Sequence, residues 1–171
     1  PLDVGYILGV VKAYVTRVGE GPMPTEIEGN LGEEIAKKGG EVGATTGRPR
    51  RCGWFDAVSV KRIIQSNSVS ALCLTKIDVL DGLENIKICT SYEEDESKKA
   101  FAECMELEDV NPSYIEIEGW PEPTAGINNY DDFPQKAKNF VEKIAEVCGV
   151  PVDIVSTGPD DASTILINQE I

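Results

Sequence analysis

The chain has 171 residues, of which 41% are hydrophobic, and this is enough to build one compact domain with a core. Its formal net charge of −14 argues against nucleic acid or a membrane surface as a partner. No apolar run approaches the roughly 20 residues that a membrane-spanning helix needs, and we expect no signal peptide. Because the first residue is Pro1 rather than Met, we expect a segment of a longer protein.

The cysteine and histidine content narrows the possible chemistry. The cysteines are five in number and scattered, without a C-x-x-C pair, which favours reduced thiols in a cytoplasm. The chain contains no histidine. Ser-His-Asp catalysis, Cys-His catalysis and histidine-ligated metals are therefore excluded within this chain.

The first part of the chain is predicted to contain short elements. An apolar repeat at helical spacing predicts a helix, or a helix followed by a strand, over residues 3–18. A loop rich in glycine and proline follows. The peptide groups of Val18 are candidates there for a ligand contact, although a plain loop explains them equally well. Thr25 and Glu28 match a capping box, and a short helix is predicted from Glu33 to Lys38.

Residues 43–51, Gly-Ala-Thr-Thr-Gly-Arg-Pro-Arg-Arg, form the most distinctive stretch, which we call the arginine loop. Three arginines so close together are unexpected in such an acidic chain. Backbone N–H groups, threonine hydroxyls and guanidinium groups are the donors that bind carboxylates and phosphates. The loop is therefore predicted to bind anions, with a solvated basic turn as the alternative.

The next elements predict a parallel sheet with polar residues at a strand end. A helix is predicted from Asp56 to Ser66, and the apolar run Val69–Ile77 predicts a buried strand. The Asp78 carboxylate could accept hydrogen bonds from N1–H and the exocyclic amine of guanine, whereas adenine presents an acceptor at N1. The stem of Lys76 could lie along the face of the base. The alternative is a polar strand end that caps the following turn.

The middle of the chain is predicted to mix strand, loop and helix. Ile86–Tyr92 is strand-like, Glu93–Glu108 is a charge-rich surface excursion, and Asn111–Pro123 is rich in loops. The clearest helix is predicted over Asp132–Cys148, with Gly149 as its C-terminal cap.

The last part of the chain predicts a second strand end with ligand-binding character. A buried strand is predicted over Val150–Val155, followed by Ser-Thr-Gly-Pro at residues 156–159, and a final strand over Thr164–Ile167. Small residues would let backbone groups approach a ligand, although an ordinary turn is the alternative. The alternation of helices and strands predicts an α/β fold, whose strand ends share one edge of the sheet.

Four segments together resemble the adenylosuccinate synthetase family, and the resemblance runs over nearly the whole chain. They are residues 16–22 (Thr-Arg-Val-Gly-Glu-Gly-Pro), 43–54, 74–82 (Leu-Thr-Lys-Ile-Asp-Val-Leu-Asp-Gly) and 156–160 (Ser-Thr-Gly-Pro-Asp). The resemblance implies the α/β, mostly parallel-sheet, P-loop-NTPase-like fold of a GTP-dependent ligase. Residues 1–171 would be a single segment, the C-terminal portion of the enzyme.

The resemblance also implies the activity. The family condenses IMP with L-aspartate at the expense of GTP, with Mg²⁺, and forms adenylosuccinate, GDP and phosphate. The catalytic aspartate and histidine, the phosphate loop and most Mg²⁺ ligands are expected in an N-terminal part outside this chain. No catalytic residue or metal ligand is predicted here, and the segment alone is expected to be inactive. The full-length protein is expected to be a cytoplasmic homodimer.

The same resemblance implies ligand contacts residue by residue. Those to aspartate or IMP would come from Val18, Ala44, Thr45, Thr46, Gly47, Arg48, Pro49 and Arg50. Those to GTP would come from Arg50, Lys76, Ile77, Asp78, Ser156, Thr157, Gly158 and Pro159. Arg48 would bridge the aspartate carboxylate and the IMP ribose, and Arg50 would contact aspartate near GTP.

Two other classes of function remain open at this stage. The chain could be a stand-alone guanine-nucleotide-binding module without catalysis. It could also be an acidic interaction domain in which the arginine loop is only a surface feature.

Overall fold

The computed structural model describes residues 5–43, 47–94 and 110–168. Contacts divide the chain into two units, each assembled from separate stretches. The first unit comprises Pro1–Ala13, Ser59–Ile86 and Ile117–Ile171, and the second comprises Tyr14–Val58 and Lys87–Glu116, as far as these are described. The predicted surface excursion at Glu93–Glu108 lies almost entirely outside the described residues.

The elements follow one another in short spans. The strands are β1 (Leu8–Lys12), β2 (Val15–Arg17), β3 (Arg51–Gly53), β4 (Phe55–Asp56), β5 (Ala71–Thr75), β6 (Asn85–Glu94), β7 (Val110–Glu118), β8 (Val152–Ser156) and β9 (Thr164–Leu166). The helices are α1 (Asn30–Lys38), α2 (Ala57–Asn67) and α3 (Gln135–Cys148). Short 3-10 helices occupy Ile77–Leu80, Tyr130–Asp132 and Asp161–Ser163.

The first unit contains a sheet with the strand order β1-β5-β8-β9. Strand β5 runs parallel to β1 on one side and to β8 on the other, whereas β9 is antiparallel to β8. Leu8 lies opposite Ala71, and Leu74 lies opposite Val155. Parallel strands are normally buried on both faces, which explains the apolar runs in β5 and β8. The predicted α/β class with a mostly parallel sheet is confirmed.

Helix α3 packs its apolar face inward, as its periodicity predicts. The buried residues of this face are Ala137, Phe140, Val141, Ile144 and Cys148. Gly149 ends the helix in the left-handed conformation with φ of 77°, which costs glycine no Cβ clash. The ring of Phe140 lies 5.6 Å from that of the fully buried Trp120. This contact fixes the segment that leads from β7 toward α3.

The second unit contains smaller sheets. Strands β2 and β3 form an antiparallel pair, and β4, β6 and β7 form a three-stranded sheet in the order β4-β6-β7. Helix α1 contacts β3. Across the described parts of both units, no helix is long and apolar enough to cross a bilayer.

Three predictions of secondary structure are wrong. The helix predicted within residues 3–18 is strand β1, because the same apolar residues pair with β5. The loop predicted at Asn111–Pro123 is largely strand β7, whose β-branched and aromatic residues extend along β6. The capping box at Thr25 is also wrong. Helix α1 begins at Asn30 and has Gly29 at its N-cap, without a side-chain cap.

A close backbone crossing joins the turn after β5 to the segment after β7. The Gly119 N–H donates to the Glu84 carbonyl at 2.7 Å, and the Gly82 N–H donates to the Trp120 carbonyl at 2.9 Å. A Cβ atom on Gly119 would lie 1.9 Å from the Leu83 carbonyl oxygen. Only glycine fits this crossing without moving the backbone.

We expect Gly119→Ala to lower the free energy of unfolding by about 1–3 kcal/mol, since the added methyl must displace backbone atoms. Urea denaturation followed by circular dichroism measures the change. Gly5→Ala is the matched control, because a Cβ at Gly5 would meet no atom within 4 Å. Equal denaturation midpoints for the two variants would contradict the crossing.

Candidate functional site

The residues predicted to recognise a nucleobase begin where β5 ends. Lys76 follows the strand in the left-handed region, with φ of 60° and ψ of 34°. This conformation is uncommon for a residue with a side chain and recurs at functional sites. The 3-10 helix Ile77–Leu80 follows at once and buries Ile77 completely. The chain therefore turns sharply at the strand end, and Asp78 lies in this turn.

Asp78 is half-buried, and one of its carboxylate oxygens is shielded from solvent. Its Oδ1 atom is shielded from solvent and accepts no hydrogen bond within the described residues, although Asp78 takes part in other interactions. An ionised carboxylate at this turn can accept hydrogen bonds from N–H donors of a bound ligand.

The second predicted base-recognition element follows β8. The Ser156 hydroxyl donates to the Gly158 carbonyl at 2.9 Å, which closes the turn. Thr157 is 1% exposed, and its N–H donates to the Ser163 carbonyl at 2.9 Å. A Cβ on Gly158 would lie 2.9 Å from the Ser163 hydroxyl oxygen, whereas Pro159 is exposed. The turn is compact, and its ligand contacts stay a prediction.

The sheet brings these two elements to the same edge. Strands β5 and β8 are parallel neighbours, so their C-terminal ends point the same way. Neighbouring strands lie about 4.8 Å apart. Residues 76–78 and 156–159 thus leave adjacent strands at the edge where α/β proteins bind ligands. This geometry suits a flat ligand held by both elements.

The arginine loop belongs to the second unit and is closed at its base. Val42 pairs with Pro49 in an antiparallel bridge, and the Arg50 N–H donates to the Glu41 carbonyl at 2.9 Å. Farther out, the Gly43 N–H donates to the Arg48 carbonyl at 2.8 Å. Gly47 has φ of 63°. The two flanks of the loop are therefore held together, and residues 44–46, Ala-Thr-Thr, lie outside the described residues.

A buried carboxylate orients one of the predicted ligand-binding arginines. Glu41 Oε2 lies 2.9 Å from Nη1 of Arg50, and the Glu41 side chain is 0% exposed against 31% for Arg50. The Tyr14 hydroxyl donates to Glu41 Oε1 at 2.7 Å. A buried charge is tolerated when it is paired in this way. Glu41 thus holds the Arg50 guanidinium, while Arg48 is exposed.

Arg51 has a structural role that differs from that of its neighbours. Its Nε donates to Glu26 Oε1 at 2.7 Å, its Nη2 pairs with Glu26 Oε2, and its Nη1 donates to the Gly21 carbonyl at 2.8 Å. These bonds lower the pKa of Glu26 and raise that of Arg51. Arg51 therefore stabilises the loop after β2. Val18, which lies in that loop, is exposed.

An open cavity of about 590 Å³ lies within the second unit beside Arg50. Its lining includes Glu26, Gly29, Gly32, Lys37, Arg50 and Cys52, contributed by α1, β3 and the connecting loops. Acidic and basic side chains share its border. Space for a ligand is therefore present next to the guanidinium that Glu41 holds.

Two residues that shape these sites were missed at the level of the sequence. Glu41 precedes the arginine loop, but nothing in its spacing distinguishes a buried carboxylate from a surface one. Asp81 belongs to the run of residues 74–82 that carries the family resemblance, but nothing in that run indicates which residues it contacts.

Metal binding finds no support in the part of the chain that the structure describes. Among residues 5–43, 47–94 and 110–168, no group of three or more His, Cys, Asp or Glu side chains could hold a metal ion.

Comparisons with known proteins agree with one another. The family model described as adenylosuccinate synthetase matches residues 1–165. Relatives named adenylosuccinate synthetase from Nitrosomonas eutropha and Pseudoalteromonas atlantica are 51% and 50% identical, and each match covers 98% of this chain. These matches cover 40% and 39% of the relatives. The chain therefore spans about two-fifths of their length.

A solved structure shows the same similarity in three dimensions. It is titled as fully ligated adenylosuccinate synthetase from Plasmodium falciparum, with a TM-score of 0.88 and 34% identity. The match covers 96% of this chain and 40% of that chain. Similarity in sequence and similarity in backbone thus point to one family.

The Glu26–Arg51 pair predicts a pH dependence of stability. The folded pKa of Glu26 lies below the ordinary value of 4.5. The ion pair therefore contributes to the free energy of unfolding at pH values above 4.5. The contribution is lost as the pH falls through the folded pKa. We expect Glu26→Gln to lower the free energy of unfolding by up to about 1 kcal/mol at about pH 7. The difference should shrink as the pH falls below 4.5 and through the folded pKa, because Glu26 then becomes protonated in the folded and the unfolded state alike.

Denaturation midpoints measured across this pH range test the pair. Glu28→Gln is the control, because it removes one negative charge from an exposed residue of the same segment. A Glu26→Gln effect that stays constant from neutral to acidic pH would contradict the ion pair.

Proposed function

This chain belongs to the adenylosuccinate synthetase family, and on that premise we propose that it supplies the base-recognition and aspartate-binding elements of the family's ligase. The relatives are longer than this chain, and we use the term intact polypeptide for this chain together with the part that it does not span. The intact polypeptide would join IMP and L-aspartate. GTP would phosphorylate the 6-oxygen of IMP, and the amine of aspartate would then displace that phosphate. The products are adenylosuccinate, GDP and phosphate.

The observation that carries this proposal is the adjacency of two strand ends. Lys76 and Asp78 follow β5, and residues 156–159 follow the neighbouring parallel strand β8. In the proposed complex, Asp78 accepts hydrogen bonds from N1–H and the exocyclic amine of guanine. Adenine would place an acceptor against the same carboxylate, and an unpaired buried polar group costs about 1–3 kcal/mol. The site would therefore prefer GTP over ATP.

The arginine loop is proposed to bind the other substrates. Its base is closed by hydrogen bonds, and its guanidinium groups match carboxylate and phosphate geometry. Thr45 and Thr46 would donate to aspartate, and Arg48 would bridge aspartate and the IMP ribose. Arg50, oriented by Glu41, would contact aspartate and the nucleotide. The backbone of Val18 would contact the IMP ribose.

The groups that transfer protons and phosphate would come from the rest of the intact polypeptide. This chain has no histidine to act as the family's catalytic histidine. The Mg²⁺ that the family uses would be held mainly by residues outside this chain. We therefore propose that residues 1–171 form one segment that orients substrates and is inactive alone. The intact polypeptide is proposed to be a cytoplasmic homodimer.

For the base-recognition turn, we expect Asp78→Asn to weaken the preference for GTP over ATP in the intact polypeptide by about 10–100-fold. This corresponds to the loss of about 1–3 kcal/mol of hydrogen bonding. Calorimetric affinities for GTP, GDP and ATP measure it. Asp131→Asn, at an exposed carboxylate of the same unit, is the control. Equal affinity of the unsubstituted protein for GTP and ATP would remove the guanine assignment.

For the arginine loop, Arg48→Leu should raise the KM for aspartate by about 10–100-fold, because charge-assisted hydrogen bonds contribute about 1.5–3 kcal/mol. Steady-state kinetics of the intact polypeptide, with aspartate varied, provide the measurement. Arg62→Leu removes an exposed arginine on α2 and is the matched control. An unchanged KM for aspartate would exclude Arg48 from the site.

Guanine binding by the intact polypeptide without any ligation of IMP and aspartate would favour the alternative function, a guanine-nucleotide-binding module.

A further inference from the structure

The two base-recognition elements are residues 76–78 and residues 156–159. A separate segment contacts the turns that contain them. It comprises residues 119–127, between β7 and α3, and we call it the bridge segment. At one end, Asp81 Oδ1 accepts from Nε1 of Trp120 at 2.6 Å and from the Thr124 hydroxyl at 2.7 Å. Asp81 Oδ2 accepts from the Thr124 N–H at 2.8 Å. Asp81 ends the turn that contains Asp78, since its N–H donates to the Asp78 carbonyl at 3.3 Å.

The other end of the bridge segment holds the turn after β8. The Thr157 hydroxyl donates to the Ile127 carbonyl at 2.9 Å. Within the segment, the Ile127 N–H donates to the Thr124 carbonyl at 3.1 Å. An unbroken path of hydrogen bonds therefore runs from Asp81 through Thr124 and Ile127 to Thr157.

The side chains that donate along this path are buried, whereas Asp81 and Ile127 are half-buried. Trp120 and Thr124 are 0% exposed, and Thr157 is 1% exposed. Hydrogen bonds in such surroundings are stronger than in water, and losing one partner leaves a costly unpaired group. The contact of Trp120 with Phe140 anchors the segment against α3. The bridge segment is thus fixed at both ends and in the middle.

We propose that Asp81, Thr124 and Thr157 are positioning residues that set the spacing of the two base-recognition elements, and thereby the selectivity for guanine. This inference rests on the proposed function. Asp78 recognises guanine only if the opposite face of the pocket, residues 156–159, stays at a fixed distance. The parallel strands bring the two turns to one edge, but each turn extends beyond its strand. The bridge segment therefore constrains the portions of the two turns that extend beyond the sheet.

The residues of the path do not need to touch the base. The hydroxyl of Thr157 points its hydrogen bond at backbone carbonyls, namely those of Ile127 and Ser163. Asp81 accepts from three donors of the bridge segment. Their effect on a ligand would therefore be indirect, through the position of Asp78 and of the turn after β8.

The test uses Thr124→Val and Thr157→Val in the intact polypeptide, because valine keeps the shape of threonine and removes the hydroxyl. The nucleotides are GTP and ITP, which differ by the exocyclic amine of guanine. We expect each variant to raise the KM for GTP about tenfold and to lower the GTP-to-ITP ratio of kcat/KM. The KM values for IMP and aspartate should stay unchanged. Thr124→Ser and Thr157→Ser should restore the selectivity, and Thr164→Val, at an exposed threonine of β9, is the control.

A double variant tests whether the two threonines act through one path. Independent residues change affinity additively, whereas residues in one network do not. We expect the combined Thr124→Val and Thr157→Val variant to lose little more selectivity than either single variant. Additive losses of selectivity would show that the two threonines act independently, and this would overturn the proposal. Lower melting temperatures with unchanged selectivity would also overturn it, since the residues would then only stabilise the fold.

The proposed function and this inference fail in different ways. If the unsubstituted protein does not prefer GTP over ITP and ATP, the guanine site itself is refuted, and the inference falls with it. If that preference is present and both valine variants retain it in full, only the inference is refuted. Should the valine variants not fold, Asp81→Asn replaces them, because it keeps the shape of the carboxylate and weakens its acceptance of the three donors. Selectivity unchanged in Asp81→Asn would equally overturn the inference.

Discussion

The parallel pairing of β5 with β1 and β8 is the constraint on which the first unit depends. A central parallel strand is covered on both faces, so its side chains are apolar and its polar residues are confined to its ends. For β5, those end residues are Lys76 and Asp78. Residues 156–159 lie at the end of β8, which also contains the buried Asp153. The direction of the strands thus decides that both polar ends lie at one edge. A different connection of the same strands would separate them.

Buried or half-buried carboxylates organise the structure around each predicted site. Glu41 holds Arg50 and accepts from Tyr14, and Asp81 holds the bridge segment through Trp120 and Thr124. Such a carboxylate is stable only when its oxygens have donors, so its partners have little freedom. The same requirement gives precise geometry to loops that have few apolar contacts of their own. Each site is therefore shaped partly by residues that contact no ligand in the proposed complexes.

Much of the fold, including the strand ends that carry the candidate site residues, was predictable from local patterns, and the failures have a physical cause. The apolar periodicity of α3 and the runs of β5 and β8 predicted their structure correctly. The error over residues 3–18 arose because a short apolar run fits either a helix or a strand, and pairing with β5 decides. In β7, loop-forming residues such as Asn111 and Pro112 obscured a strand that the neighbouring β6 stabilises.

The sequence by itself determined the α/β class, the family and the candidate residues, because these follow from periodicity and from long specific runs such as Thr-Lys-Ile-Asp-Val-Leu-Asp-Gly. Only the tertiary structure decided that Glu41 is buried behind Arg50, that Arg51 is structural, and that the bridge segment joins the two turns. Each of these depends on contacts between residues far apart in the chain. Local sequence does not reveal such contacts, because a glutamate or threonine is usually found on the surface and only the packed structure shows that it is buried.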